Sequence, residues 1–290
     1  MSDALRIRSK GLPISQTAER DGLSSAQASA QNGSVLVPQA LGKLWQFAAR
    51  TILVILGCAA VIWGMYALPV FARQASIEPV ATHVIGGDPF RHEVLAAIMP
   101  QVEAAERAEQ CRPAALRSAA IIRTRVAEQA IIDGEDIDAA LSSLRNSIGR
   151  SLACSPTDPF LWVVLYWVEC TESGFRPSYL EYLRLSYRLG PNEGWIGLRR
   201  DGLALSVFGQ LPPDLAELAI DEFAKLLDSG FFDQTIAIIT GPGWRERDLL
   251  LARLKGVPER NRQVFAKALY RLGYDVVVPG IVSPDARPWD

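Results

Sequence analysis

Histidine and cysteine are scarce in this sequence, with two and four respectively in 290 residues. The histidines, His83 and His92, have no cysteine or carboxylate at ligand spacing. "HEVLA" at His92 supplies half of a metalloprotease helix and lacks the second histidine. No metal site and no cofactor are expected. Charge of one sign is also missing: Lys+Arg number 30 against Asp+Glu 32. Nucleic-acid binding needs a basic face, so none is expected. A phosphate-binding loop is absent, because "GPGW" (Gly241 to Trp244) has neither its lysine nor its serine and reads as a tight turn. No G-x-S-x-G elbow occurs. These absences argue against a catalytic role.

The chain does contain one long apolar run, "TILVILGCAAVIWGMYALPVF", Thr51 to Phe71. It carries no charge, and about twenty residues at 1.5 Å each cross a hydrocarbon core of roughly 30 Å. Trp45, Trp63 and Tyr66 lie near its ends, where amphipathic rings favour the interface. Both the run and the tail before it are too long for a cleavable signal peptide, so an uncleaved anchor in membrane lipid is expected. Residues 1–43 are poor in large apolar side chains and read as a disordered tail. That tail and the start of the anchor carry Arg6, Arg8, Lys10, Arg20, Lys43 and Arg50. On the other side Arg73 stands alone as far as Arg91. The positive-inside rule then keeps the tail cytoplasmic and exports the residues after the anchor, as in a bacterial inner membrane with a periplasmic domain. "FLWVVLYWV" (Phe160 to Val168) is too short to cross again.

The expected segments are a tail (1–43), an anchor (44–72), a linker holding Pro79 and Pro89 (73–92), a helical domain (93–280) and a C-terminal tail (281–290). In the domain the pattern is helical almost throughout. Arg91 to Glu109 reads as a helix that Pro100 should break or kink. Pro113 opens another, running to Ile132. After the turn "DGED", Ile137, Leu141, Leu144, Ile148 and Leu152 form one apolar stripe. Asp158 and Pro159 cap and start a helix that is apolar nearly all round, which places it at the centre of the core. Further helices are expected near 179–187, 194–208, 213–229, 232–240, 244–255 and 258–272. "DVVVPG" reads as an extended segment lying on the domain.

The helices flanking "DGED" should form an antiparallel hairpin. Cys111 lies just before it and Cys154 just after it, almost equally distant from the turn. Closing the hairpin makes them neighbours, and in an oxidising compartment that predicts a disulfide. Pairing Cys154 with Cys170 is disfavoured, since an intervening helix would hold them about 18–20 Å apart. Cys58 falls in the anchor, and Cys170 is left unpaired.

Two corners of the domain are alike. "SLACSPTDPFLW" and "SYRLGPNEGWIGL" each place a proline, a polar residue and an acid between a helix end and a tryptophan. Pro156 and Pro191 fall close to a tetratricopeptide period apart. Over residues 113–210 the chain resembles a degenerate tetratricopeptide-like array. The resemblance implies an all-α fold, with one N-terminal transmembrane helix followed by an α-solenoid whose concave surface receives a partner. The corners also resemble those of membrane-anchored helical-repeat proteins in bacterial polysaccharide biosynthesis and export, which implies an accessory or scaffold role.

Trp195, Arg199 and Arg200 are expected to be partly exposed and to bind an envelope protein, with Trp244 and Arg245 a second candidate. The alternative is an envelope glycan-active enzyme, which needs a pocket joining two carboxylates beside Trp162 or Trp195. Glu169 and Glu172 stand near the aromatic helix.

Overall fold

The computed structural model describes residues 39–88 and 90–282. The tail expected at 1–43, with Arg6, Arg8, Lys10 and Arg20, falls almost wholly outside them, as does most of the C-terminal segment. Among the described residues the protein is helical and contains no strand.

The first helix, α1, runs unbroken from Gln39 to Ile85. Within it Trp45–Leu68 is long and apolar enough to cross a membrane, and none of its residues is buried by protein. Its 24 residues span about 36 Å as a helix. The segment expected to be a linker, 73–92, is therefore helical as far as Ile85. Pro79 removes one backbone donor but does not end the helix, and Ile77 and Ala81 beside it are buried in the domain core. Likewise α2 (His92–Arg107) continues through Pro100, with Leu95 and Val102 buried on either side of it.

The hairpin comes next. α3 (Pro113–Asp133) and α4 (Ile137–Cys154) pack against each other. Gly134 ends α3 in the left-handed region at φ 73° and donates its N–H to the Ala130 carbonyl. Asp136 also has positive φ, 51°, so the turn needs two residues in that uncommon conformation. The α4 stripe is buried at Leu141, Leu144, Ile148 and Leu152, with Ile137 half-buried at its start. Burying each such side chain contributes roughly 1.5–3 kcal/mol. At the open end of the hairpin Cys111 and Cys154 stand at disulfide distance, their Cα atoms 5.6 Å apart.

α5 (Pro159–Ser173) packs on α3, α4, α6 and α7. Leu161, Val163, Val164, Tyr166 and Val168 are buried, which puts this helix at the centre of the core. Asp158 caps it, accepting from the N–H groups of Phe160 and Leu161. A single tighter turn at Pro177–Tyr179 leads into α6 (Leu180–Leu189).

The two similar corners have the same backbone plan. After α4, Ser155 leaves the helix, Pro156 and Thr157 turn, and α5 starts after Asp158. After α6, Gly190 leaves, Pro191 and Asn192 turn, and α7 (Gly194–Ser206) starts after Glu193. The corners also touch: a Cβ on Gly190 would meet the Pro159 ring at 2.7 Å, so only glycine allows this approach.

α8 (Pro213–Asp228), α9 (Phe232–Thr240), α10 (Arg247–Arg253) and α11 (Glu259–Arg271) complete the chain. α7 packs on α8 and α9, and α8 packs on α9, α10 and α11. The helix expected over 244–255 is shorter, with tight turns at Trp244–Glu246 and Leu254–Gly256 flanking α10. Past α11 the backbone is non-helical. Val278 is buried there, and the Arg262 guanidinium donates to the carbonyls of Val257 and Pro279.

A cross-link over the 43 residues separating Cys111 from Cys154 restricts the unfolded chain by roughly 3–4 kcal/mol. Replacing both cysteines by serine should lower the unfolding free energy of the oxidised protein by about that amount. Denaturant titrations with and without reductant check this. Identical midpoints for the two proteins under oxidising conditions would contradict it.

Candidate partner-binding site

The orientation of α7 about its own axis decides which of its residues reach the surface. Ile196, Gly197, Arg200, Asp201 and Ala204 point inward and are buried. Trp195, Leu198 and Arg199 fall on the flank and are half-buried. They line a cleft of about 320 Å³. Its other walls are Thr124, Arg125 and Glu128 of α3, Phe160 of α5, Val84 and Ile85 at the end of α1, and Gly87 and Asp88 just after it.

The flank is held rigid. The Trp195 ring lies 5.0 Å from that of Phe160, and the Arg117 guanidinium stands 6.0 Å from the indole. The indole N–H donates to Glu193 at 3.2 Å. Arg199 pairs with Glu128, which also takes Arg125 at 3.4 Å. The same guanidinium lies over Phe160 at 5.9 Å and Trp167 at 5.8 Å, within cation–π range. Of the residues expected to bind a partner, Trp195 and Arg199 are thus brought together.

Arg200 is not part of that surface. Against the expectation of partial exposure, it is 0 % exposed and sits beneath α7. Its guanidinium donates to Glu222 of α8 at 2.9 Å, to Ser186 of α6 at 3.0 Å and to the Gly190 carbonyl at 3.0 Å. It also lies 4.1 Å from the centre of the Tyr187 ring. The reason is helical spacing: Ile196, Arg200 and Ala204 share one face. On α8, Leu215, Ala219, Glu222 and Leu226 share another. Opposite charges meet where two otherwise apolar stripes face each other.

Asp201 is buried beside this pair, and neither of its oxygens has a hydrogen-bond partner among the described residues. Loss of hydration raises its pKa well above the ordinary carboxylate range; repulsion from Glu222 adds to this, and Arg200 opposes it. Burial likewise raises Tyr187. The Cys170 thiol is half-buried and also pushed up by burial, which makes it a poor nucleophile.

Trp244 and Arg245 belong to the short turn before α10. Trp244 is 38 % exposed, 5.3 Å from the Tyr274 ring, with the Arg247 guanidinium 4.8 Å from its own ring. Arg245 is exposed.

The carboxylates near the aromatic helix are engaged. Arg145 takes Glu169 at 3.0 Å and also pairs with Glu172. A second cleft, about 440 Å³, places Asp158 and Glu193 beside Trp195. One Asp158 oxygen caps α5 and the other accepts from Arg117 at 2.6 Å, while Glu193 accepts from the indole of Trp195. The structural contacts of both carboxylates compete with any role in proton transfer. Among the described residues no group of histidines, cysteines and acids could hold a metal.

Glu128, Arg125, Phe160 and the end of α1 are parts of the cleft that the sequence pattern does not single out. Glu222 was missed as well, although a lone acid on the apolar stripe of α8 was a visible signal. The chain matches no protein-family model, no curated protein and no solved structure.

The buried charges lead to two stability outcomes. Arg200→Ala leaves Glu222 buried and unpaired, at a cost of about 3–5 kcal/mol. Thermal unfolding measures this, and a variant as stable as the parent would contradict it. Asp201 is favoured in its protonated form by folding. Its contribution is therefore most favourable below the unfolded-state value of about 3.9 and is lost as pH rises toward the folded value. Asp201→Asn should stabilise the protein at neutral pH and flatten the decline in stability above about pH 4. Equal pH profiles for the two proteins would refute this.

Proposed function

We propose that this protein is a membrane-anchored interaction scaffold. Its helical-repeat domain stands at the outer face of a bacterial inner membrane and presents the α7 flank to another envelope protein. The observation that carries the reading is the pairing of Trp195 and Arg199 on one preorganised, half-exposed flank. A rigid aromatic ring and a guanidinium already held by Glu128 lose little entropy on contact, as in the anchor residues of protein interfaces.

Further support comes from the anchor and the corners. Trp45–Leu68 is uncovered and apolar, and a helix of that length suits a bilayer. The excess of Arg and Lys before it favours an exported domain. The facing cysteines suit an oxidising compartment. The two matching corners, and the sequence of contacts from α3 to α5, α5 to α7 and α7 to α9, suit stacked helical pairs of an α-solenoid. Assembly or export of a surface polysaccharide is the pathway favoured by the sequence resemblance of those corners.

The test is cross-linking in the native host, then purification of the detergent-solubilised protein. Wild type should capture an envelope-assembly component, and Trp195→Ala combined with Arg199→Ala should reduce the yield about tenfold or more at a temperature where circular dichroism shows the variant still folded. A deletion strain should lose or shorten its surface polysaccharide. Equal capture by the wild type and the double variant would overturn the site. Unchanged polysaccharide would overturn the pathway.

A further inference from the structure

The cleft that Trp195 and Arg199 line is not open on every side, because Val84 and Ile85 of α1 form one of its walls. Ile77 is 0 % exposed and Ala81 2 %. Val80, Val84 and Ile85 pack against the same core. The positions 77, 81, 84 and 85 recur at helical spacing, so they make one apolar stripe. Val84 and Ile85 then wall the cleft that Trp195 and Arg199 line. The segment is closed off by Gly87, at φ 79°, and by a contact of 2.7 Å between His83 and Asp88.

We infer that residues 77–85 are a strap, a detachable wall of the cleft, whose release opens it beside Trp195 and Arg199. The proposal deepens the scaffold reading, since the same flank is the proposed partner site.

Three features make the strap releasable rather than a fixed part of the core. Ile77 is its one large side chain that is fully buried, whereas α4 buries Leu141, Leu144 and Ile148 at 2 % exposure or less. Pro79 lies inside it and withholds a helical hydrogen bond. The pair that closes it is exposed, at 65 % for His83 and 56 % for Asp88, and so contributes little. A segment with few buried apolar contacts opens at a lower free energy than the core.

Hydrogen–deuterium exchange on the full-length protein in detergent micelles tests this without any partner. Ile77→Asp puts a charge into the buried end of the strap. Exchange at residues 77–85 should rise by about ten- to a hundredfold, with a smaller rise at Thr124–Glu128 and Leu198–Arg199. Exchange across the α4 stripe should stay unchanged. Equal exchange at 77–85 in the two proteins would overturn the proposal, and so would a rise confined to the strap with none on the flank. If Ile77→Asp fails to fold, as judged by its melting curve, Ala81→Glu gives the same readout with a smaller disturbance. Partner capture is measured separately. Capture that fails in every form counts against the scaffold reading, while the exchange result decides the strap.

Discussion

An uncharged helix with no protein cover is the constraint on which the rest of the arrangement depends. From Thr51 to Leu68 the chain carries no charge, and none of its residues is buried by protein. Water disfavours such a surface, whereas a bilayer both tolerates it and matches its length. In the proposed reading that helix lies in lipid, and the basic residues before it would direct the rest of the chain outward. That direction would set the redox environment of everything after it. That environment determines whether Cys111 and Cys154, already at disulfide distance, are joined.

Inside the domain a second interaction fixes what the surface can offer. Arg200 joins α6, α7 and α8 through Ser186, the Gly190 carbonyl and Glu222. With that guanidinium turned inward, helical geometry turns Trp195, Leu198 and Arg199 toward the cleft. The close contact of Gly190 with Pro159 locks the two corners beside it. The exposed pair therefore depends on a buried one. Asp201 is the cost of this design, a carboxyl whose pKa burial raises beside a pair of charges.

Much of the fold was legible because its signals were local. Pro113, Asp158 with Pro159, and the α4 stripe each mark a helix by its own residues, and the helices begin or lie where those residues placed them. The cysteine pair was legible from symmetry about the turn at Gly134. Two features were not. Pro79 and the glycines after Ile85 read as a linker, because a sequence does not reveal that burial of Ile77 and Ala81 will offset a missing hydrogen bond. Arg200 read as a surface residue, because arginine normally is one. Its burial depends on a partner 22 positions away, and only the pairing of two helix faces supplies it. The site was half legible for the same reason. Trp195 and Arg199 share a helix turn, but the Glu128 that holds Arg199 comes from α3, 71 positions earlier.

The account rests most heavily on the domain lying on the oxidising side of the membrane. Thiol trapping in living cells measures that directly: acid quench, alkylation under denaturing conditions, then mass spectrometry of the cysteine-containing peptides before and after reduction. The account predicts that Cys111 and Cys154 resist alkylation until a reductant is added, while Cys170 is alkylated without one. Full alkylation of Cys111 and Cys154 before reduction would contradict it.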